Sequence, residues 1–194
     1  MYQMKERYVA ITGATGFIGR HIIKALKGSK YTAIVISRDK RAARLLVPDN
    51  IEIRQADITD AAQLVEAFQG VEAAIHLAGK ISVNKCDDRE VHTVNVEGAR
   101  NFLAAAQKAK LQRVVFTSTT SAVAALLEDN PLAACDENAI FNLAHEPVAY
   151  IQAKRKAHEL AINARSQGMP LVVISPSFVL GPEDLNLNTT ALIE

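Results

Sequence analysis

The stretch that decides the fold is TGATGFIG, residues 12–19, which follows the apolar run YVAIT at residues 8–12. An apolar run that ends in a glycine-rich turn and continues with helical spacing is typical of a strand, a turn and a helix. Gly13 allows the tight turn, Gly16 lets a pyrophosphate approach the backbone, and Gly19 lets the helix lie against the strand. A helix N-terminus also favours negative charge. The motif therefore predicts a dinucleotide site, with turn glycines that bind nothing as the alternative.

Strand and helix patterns alternate along the rest of the chain. Apolar runs predict five further strands, at residues 32–37, 51–57, 71–79, 112–119 and 170–176. Helical spacing, caps and glycine stops predict helices at residues 17–27, in a basic segment that ends at Leu46, and at residues 59–70, 90–110 and 150–166. A loop rich in Asn, Asp and Pro, residues 128–147, precedes the last helix. This order predicts an α/β fold, a Rossmann-type doubly wound parallel sheet with helices on both faces.

Length and composition limit the classes of function. The 194 residues suit one domain, residues 1–194, and 49% are hydrophobic, as in soluble globular proteins. A net charge of +1 provides no basic field for nucleic acid, and no apolar run reaches membrane-spanning length. Cys86 and Cys135 lack CxxC spacing, and His158-Glu159 lacks the second histidine of HExxH. We therefore expect a cytoplasmic protein with no metal, nucleic-acid or membrane partner.

The end of the second strand bears on the choice between NADP and NAD. An acidic residue there binds the ribose 2′-hydroxyl of NAD, whereas an arginine can hold the 2′-phosphate of NADP. The chain has Ser37, Arg38 and Asp39 at this position. Ser37 brings no carboxylate and Arg38 follows at once, which favours NADP. Asp39 favours NAD if the strand is slightly longer, and a solvated helix start is the third possibility.

The segment VAYIQAKRKAH, residues 148–158, places Tyr150 four residues before Lys154. On a helix these side chains share one face, one turn apart. The pair is either an acid-base device or a chance pair on a basic, solvated helix.

Several motifs together resemble the extended short-chain dehydrogenases/reductases of the NAD-dependent epimerase/dehydratase superfamily. They are TGATGFIG, Asp57-Ile58, HLAG, Asn95 within VNVEG, FTST and the YxxxK pair. The segments ISRDK, FTST and SPSFVLGPED are most similar to the dihydroflavonol-4-reductase-like branch. The resemblance covers residues 8 to about 184. Extended members continue for well over a hundred residues that build most of the substrate pocket, so it also implies that a C-terminal substrate-binding portion is missing here.

The resemblance implies a role for each matching position. Asp57 would bond the adenine amino group, although Asp57 to Asp60 could be only a helix cap, and Asn95 would support the lysine through water. The implied catalytic residues are Thr119, Tyr150, Lys154 and Asn95. The implied cofactor-binding residues, with Arg38 from the argument above, are Gly13, Thr15, Gly16, Phe17, Ile18, Gly19, Arg38, Asp57, Ile58, Leu77, Ala78, Gly79, Thr117, Tyr150, Lys154, Pro176, Ser177, Phe178 and Val179.

The implied activity is NADP-dependent reduction of a ketone or aldehyde, with NAD as the second choice of cofactor. Tyr150 would be the general acid/base. The nearby Lys154 ammonium, together with the positive charge of oxidised nicotinamide, would lower its pKa from about 10. Thr119 would orient the carbonyl substrate. The alternatives are a nucleotide-sugar epimerase or dehydratase, and a dinucleotide-binding module without catalysis.

The resemblance also implies a homodimer through the Asn95 and Tyr150 helices. Their apolar positions could serve as the interface or could equally be internal core; they are Val94, Phe102, Leu103, Ala157, Leu160 and Ala161.

Overall fold

The computed structural model describes residues 6–125 and 135–184. Residues 128–134 of the predicted loop lie outside the described residues. The strands are β1 (Arg7–Thr12), β2 (Tyr31–Ser37), β3 (Glu52–Gln55), β4 (Ala73–His76), β5 (Arg113–Thr117) and β6 (Leu171–Ile174). The helices are α1 (Phe17–Leu26), α2 (Lys40–Arg44), α3 (Ala61–Ala67), α4 (Asp88–His92), α5 (Gly98–Lys108) and α6 (Ala149–Ser166). No described helix is long and apolar enough to cross a membrane.

The six strands form one parallel sheet in the order β3-β2-β1-β4-β5-β6. The predicted Rossmann-type fold is therefore confirmed. The chain order reverses between β1 and β4, and such a switch point leaves a crevice at the carboxyl ends of the strands. Thr12 pairs with Ile36 on one side and with His76 on the other, and His76 pairs with Phe116. The ends of β1, β2, β4 and β5 therefore lie side by side, and the loops that follow these strands face the same crevice.

The two faces of the sheet carry separate apolar cores. Ile34 and Ile36 of β2 pack with residues of α3, α5 and α6, including Phe102. Val35, between them in sequence, packs on the opposite face with residues of α1 and α2, including Ile23. Side chains alternate across a strand, so strands buried on both faces read as unbroken apolar runs. This is why the strands could be recognised from composition alone.

β6 lies at one edge of the sheet and is covered on one face only. Leu171 is buried in the core beside α6, whereas Val172 and Ile174 are 58% and 49% exposed. These two residues point to the face of the sheet that carries α1 and α2. Among the described residues, the core on that face contains residues of β1 to β4 and none of β6.

The helix predicted over residues 90–110 is interrupted. It consists of α4, one π-helical turn (Thr93–Glu97) and α5. A π turn adds a residue to a helical turn and is frequent at functional sites. Here it contains Asn95, whose side chain is buried.

Most of the apolar positions considered for a dimer interface are internal. Phe102, Leu103, Ala157 and Ala161 are buried within the single chain, where α5 and α6 pack on the sheet. Val94 and Leu160 are partly buried. The internal-core alternative therefore applies to the four buried positions, and the homodimer through the Asn95 and Tyr150 helices stays a prediction.

Candidate active site

The glycine turn packs directly on the residues that follow β4. Gly13 has φ +70°, and a Cβ atom there would lie 2.6 Å from the Ala78 amide nitrogen. A Cβ on Gly19 would lie 2.5 Å from the Gly13 carbonyl oxygen, so α1 touches the turn itself. A Cβ on Gly16 would meet only that same oxygen, at 3.3 Å. Gly16 thus leaves open space beside the first turn of α1, where a phosphate can approach the backbone.

A groove of about 670 Å³ lies at the carboxyl ends of β1, β2 and β4. Its size suits a cofactor or another small organic ligand. Nine predicted cofactor-binding residues line it: Gly13, Thr15, Gly16, Arg38, Asp57, Ile58, Leu77, Ala78 and Gly79. Sequence reasoning missed Lys80 and Ile81, which follow them, and the helix residues Glu90, Thr93 and Val94, which also line the groove.

The other predicted cofactor residues do not line this groove. Phe17 contacts Gly181 and the His21 ring, and Gly19 serves packing. The carbonyl oxygen of Pro176 accepts a hydrogen bond of 3.0 Å from the Thr120 amide, which holds the segment after β6 near the end of β5. Phe178 is 73% exposed. The structure places the remaining residues of this group outside the lining as well; they are Ile18, Thr117, Tyr150, Lys154, Ser177 and Val179.

The residues that bear on cofactor choice have distinct local roles. Asp39 is the N-cap of α2, where its carboxylate accepts a hydrogen bond of 2.9 Å from the Ala42 amide. The Ser37 hydroxyl bonds to the backbone of Asp39. Arg38 lines the groove, and its guanidinium has no partner within residues 6–125 and 135–184. Arg38 is therefore available to a ligand, whereas Asp39 is engaged with α2.

Residues 57–60 were considered either for a contact with the adenine or for a helix cap, and Asp57 and Asp60 differ in this respect. Asp60 is the N-cap of α3 and accepts hydrogen bonds from the Ala62 and Gln63 amides. Asp57 lines the groove, and one of its carboxylate oxygens accepts two hydrogen bonds of 2.8 Å from Thr59. The cap alternative thus applies to Asp60.

The side chain of Asn95 bonds to the backbone of the segment after β4. Its Oδ1 accepts a hydrogen bond of 3.1 Å from the Lys80 amide, and its Nδ2 donates one of 2.8 Å to the Lys80 carbonyl oxygen. A Cβ on Gly79 would lie 2.9 Å from that Oδ1. The predicted support of Lys154 through water stays a prediction. The side chain is directed to the segment after β4 and holds the backbone at the wall of the groove.

Three of the predicted catalytic residues come together at the end of β5 and the start of α6. The Lys154 ammonium is buried and donates a hydrogen bond of 3.0 Å to the Thr117 carbonyl oxygen. This burial lowers the pKa of Lys154 from 10.5 to about 8. Burial also raises the pKa of Tyr150, and the nearby Thr119 hydroxyl opposes that rise. Within the chain alone, desolvation of the phenol outweighs this contact. The predicted lowering also depends on the positive charge of oxidised nicotinamide and stays a prediction.

Two histidines lie close to this group. His76 is buried between the rings of Phe102 and Phe116, and its Nδ1 lies 2.8 Å from the Thr12 hydroxyl oxygen. Burial lowers the pKa of His76 to about 3, so the ring is a neutral core residue. His158 was not among the predicted residues, yet its Nδ1 lies 3.0 Å from the Ser118 hydroxyl oxygen. Its spacing, one turn after Lys154 as Lys154 is after Tyr150, was the available signal.

The fold and the groove define a class of protein, a Rossmann-type domain with a dinucleotide-sized groove at the switch point of its sheet. The chain belongs to the NAD dependent epimerase/dehydratase family, whose model matches residues 9–194. The predicted resemblance is thereby confirmed, and the family is NAD(P)-dependent.

Similar proteins include reductases and an epimerase. Cinnamoyl-CoA reductase 1 of Oryza sativa is 33% identical over 95% of this chain and 58% of its own length. A dihydroflavonol 4-reductase-like protein of Synechocystis sp. is 30% identical over 94% and 52%. The crystal structure of gox2253 has a TM-score of 0.80 at 25% identity, covering 97% of this chain and 56% of the other. The UDP-glucose 4-epimerase of Thermus thermophilus in complex with NAD has a TM-score of 0.72 at 24% identity, covering 87% and 54%. The chain thus spans about half the length of these relatives.

Proposed function

We propose that the protein is an NADP-dependent oxidoreductase that reduces a ketone or aldehyde, with Tyr150 as the general acid/base. The observation that carries the proposal is the grouping of Thr119, Tyr150 and Lys154 at the end of β5. This strand is the neighbour of β4, whose following residues line the groove. The reductases among its relatives support the reaction class.

The nicotinamide of the cofactor, when bound, supplies the hydride that reaches the carbonyl carbon. Tyr150 supplies the proton, which passes from its phenol to the carbonyl oxygen as that oxygen becomes the alcohol. Burial raises the pKa of Tyr150, so the phenol is protonated at neutral pH, the state that a proton donor requires. The Thr119 hydroxyl donates a hydrogen bond to the same oxygen and stabilises its developing charge. Lys154 provides a positive charge one turn from Tyr150, which stabilises the phenolate left behind.

The residues of the groove fit the phosphorylated cofactor. Gly16 leaves room for the pyrophosphate at the N-terminus of α1. Arg38 presents a guanidinium at the end of β2 that is unpaired among the described residues, and such a fork matches a 2′-phosphate. Asp39, the residue that favoured NAD, has its carboxylate bonded to the start of α2. These contacts favour NADP over NAD.

A Tyr150→Phe substitution tests the catalytic assignment. We expect kcat for NADPH-dependent reduction, followed by NADPH absorbance with a panel of ketones and aldehydes, to fall roughly 10²- to 10⁴-fold. The dissociation constant for NADPH should change little, because the ring remains. Tyr31→Phe is the matched control, since Tyr31 lies at the start of β2, away from the groove lining. Turnover by Tyr150→Phe at nearly the wild-type rate would contradict the assignment.

Calorimetric titration with NADPH and NADH tests the cofactor. We expect tighter binding of NADPH, and Arg38→Ala should weaken NADPH binding by about tenfold while leaving NADH binding unchanged. Arg41→Ala in α2 is the control, since Arg41 is exposed and outside the groove lining. Tighter binding of NADH would favour the nucleotide-sugar epimerase or dehydratase alternative. Binding of both cofactors without turnover of any carbonyl compound would favour the non-catalytic alternative.

A further inference from the structure

Lys80 brings a cation to the wall of the groove on the β4 side of the glycine turn. The turn after β1 touches the residues after β4, since a Cβ on Gly13 would lie 2.6 Å from the Ala78 amide nitrogen. Lys80 follows two residues later and lines the groove together with Gly13 and Gly16. The same groove therefore contains a lysine and the open space beside Gly16 at the first turn of α1. The proposed function gives this lysine no role.

The backbone of Lys80 is held on both sides. The buried Asn95 side chain accepts a hydrogen bond of 3.1 Å from the Lys80 amide and donates one of 2.8 Å to its carbonyl oxygen. Gly79 permits this arrangement, because a Cβ there would lie 2.9 Å from Asn95 Oδ1. The Lys80 side chain thus starts from a fixed point, and only its rotamers have to change when a ligand enters. Such preorganisation lowers the entropic cost of binding.

The ammonium group of Lys80 is paired with a carboxylate that water can readily take over. Lys80 Nζ lies 2.5 Å from the Glu90 carboxylate and 3.9 Å from that of Asp87. Asp87 is engaged elsewhere, since it accepts a hydrogen bond of 2.6 Å from the Ser82 hydroxyl. The Glu90 side chain is 52% exposed, against 27% for Lys80. An ion pair with an exposed partner is weak, whereas a bond from an ammonium to a phosphate is charge-assisted and stronger, so replacing Glu90 by a phosphate is favourable.

We propose that Lys80 is a further cofactor-binding residue: its ammonium leaves Glu90 and binds the pyrophosphate of a dinucleotide at the glycine turn. The inference rests on the proposed function only in taking a dinucleotide as the ligand. Glu90 also lines the groove and competes with the phosphates for the same ammonium. The two members of the ion pair therefore affect binding with opposite signs. An ion pair that only held the wall in place would affect binding with one sign, since loss of either member breaks it.

Calorimetric titration of Lys80→Met and Glu90→Gln with NADPH and with NADH tests the exchange. We expect Lys80→Met to weaken the binding of both about tenfold, because both carry the pyrophosphate, and Glu90→Gln to tighten it roughly threefold. The double variant should bind about as weakly as Lys80→Met, because Glu90 acts through the ammonium. Lys85→Met and Asp88→Asn are the controls, since both residues are exposed and outside the groove lining and should leave binding unchanged. If Lys80→Met lacks the wild-type circular dichroism spectrum, Lys80→Gln replaces it.

Several results would overturn the proposal. One is weaker binding, or unchanged binding, in both Lys80→Met and Glu90→Gln; another is a gain in Asp88→Asn equal to that in Glu90→Gln. A loss confined to NADPH would place Lys80 at the 2′-phosphate and would equally refute it. ADP, measured by competition with NADH, has the pyrophosphate without the nicotinamide. Lys80→Met should weaken ADP binding by the same factor, and a loss for NADH with none for ADP would count against the pyrophosphate contact.

The inference and the proposed function can fail separately. Binding of the dinucleotides without turnover of any carbonyl compound would contradict the proposed function, while opposite effects of Lys80→Met and Glu90→Gln would still support the exchange. Turnover of a carbonyl compound with unchanged cofactor binding in both variants would give the reverse result.

Discussion

Alanine at Gly13 should destabilise the chain more than alanine at Gly28, although both glycines have left-handed backbone conformations. Their φ angles are +70° and +80°. They differ in their surroundings: a Cβ on Gly13 would lie 2.6 Å from the Ala78 amide nitrogen and 2.7 Å from the Leu77 carbonyl carbon, whereas a Cβ on Gly28 would meet nothing within 4 Å. Comparing the two variants therefore separates the cost of the left-handed backbone conformation from the cost of a steric clash.

The magnitudes follow from these two costs. A left-handed conformation costs an alanine about 1 kcal/mol, which is the whole expected effect of Gly28→Ala. Overpacking against atoms that cannot move aside adds about 2 kcal/mol at Gly13, where the neighbours are backbone. We thus expect losses in the free energy of unfolding of about 1 and about 3 kcal/mol. For a chain of this size the Tm should fall by roughly 2–4 °C and 6–12 °C.

Two further glycines complete the comparison. Gly19 lies within α1 and has ordinary backbone angles, yet its Cβ would lie 2.5 Å from the Gly13 carbonyl oxygen. Gly19→Ala should therefore destabilise through collision alone, partly offset by about 1 kcal/mol of better helix propensity. Gly16→Ala should leave the free energy of unfolding nearly unchanged and weaken NADPH binding, because its Cβ would occupy the space left for a phosphate.

Urea unfolding followed by circular dichroism measures all four variants, and calorimetric titration measures cofactor binding. Equal losses in the free energy of unfolding for Gly13→Ala and Gly28→Ala would refute the close approach of the glycine turn to the end of β4. A stability loss in Gly16→Ala as large as that in Gly13→Ala would refute the division of roles within the motif.

Three other perturbations test the buried polar groups. The pKa of Lys154 is about 8 in the folded chain, against 10.5 when the side chain is exposed. Between these two values the unfolded chain holds more protons than the folded chain. The free energy of unfolding should therefore rise with pH in this range, by at most about 3 kcal/mol. Urea titrations across this range should show the rise in the wild type and not in Lys154→Met; a flat wild-type profile would contradict the burial of a charged lysine. The pKa of His76 is about 3 against 6.5, so its contribution is present above pH 6.5 and is lost as the pH falls towards 3. Acid unfolding monitored by circular dichroism should thus begin at a lower pH in His76→Gln, and an earlier onset would count against this origin. Asn95→Ala leaves the amide and the carbonyl group of Lys80 without their side-chain partner. The free energy of unfolding, measured in urea, should therefore fall by about 1–3 kcal/mol. A loss below about 0.5 kcal/mol would show that the two hydrogen bonds of Asn95 are not needed for stability.

The sheet and the glycine turn were predictable because their signals are local. The run YVAIT followed by TGATGFIG contains the strand, the turn and the helix start within twelve residues of sequence. The cap at Asp60 was equally local, since an N-cap bonds to amides two or three residues ahead. The same rule could have assigned Asp39 to the cap of α2, where the sequence analysis considered only a ribose contact or a solvated helix start.

The parts that sequence reasoning missed depend on distant neighbours. The predicted strand at residues 71–79 ends at His76, because the following residues leave the sheet and form the wall of the groove. The partner of Asn95 is Lys80, fifteen residues earlier, and depends on a π turn that has no sequence signature. The direction of the Tyr150 pKa depends on burial, which only the packed structure supplies.

The contacts of α6 with the end of β5 also bear on where this chain tolerates changes in length. Lys154 bonds to the Thr117 carbonyl oxygen, and His158 lies 3.0 Å from the Ser118 hydroxyl oxygen. Each added residue rotates the rest of a helix by about 100°, so an insertion between Lys154 and His158 would turn one of these side chains away from its partner. An insertion between Thr117 and Thr119 would reverse the faces of the side chains that follow. Residues 135–148, which precede α6, are neither helix nor strand, so an added residue there changes neither a helical phase nor a strand face. Loops of different length and chemistry could be grafted there, which makes this segment the natural place to engineer new substrate preferences.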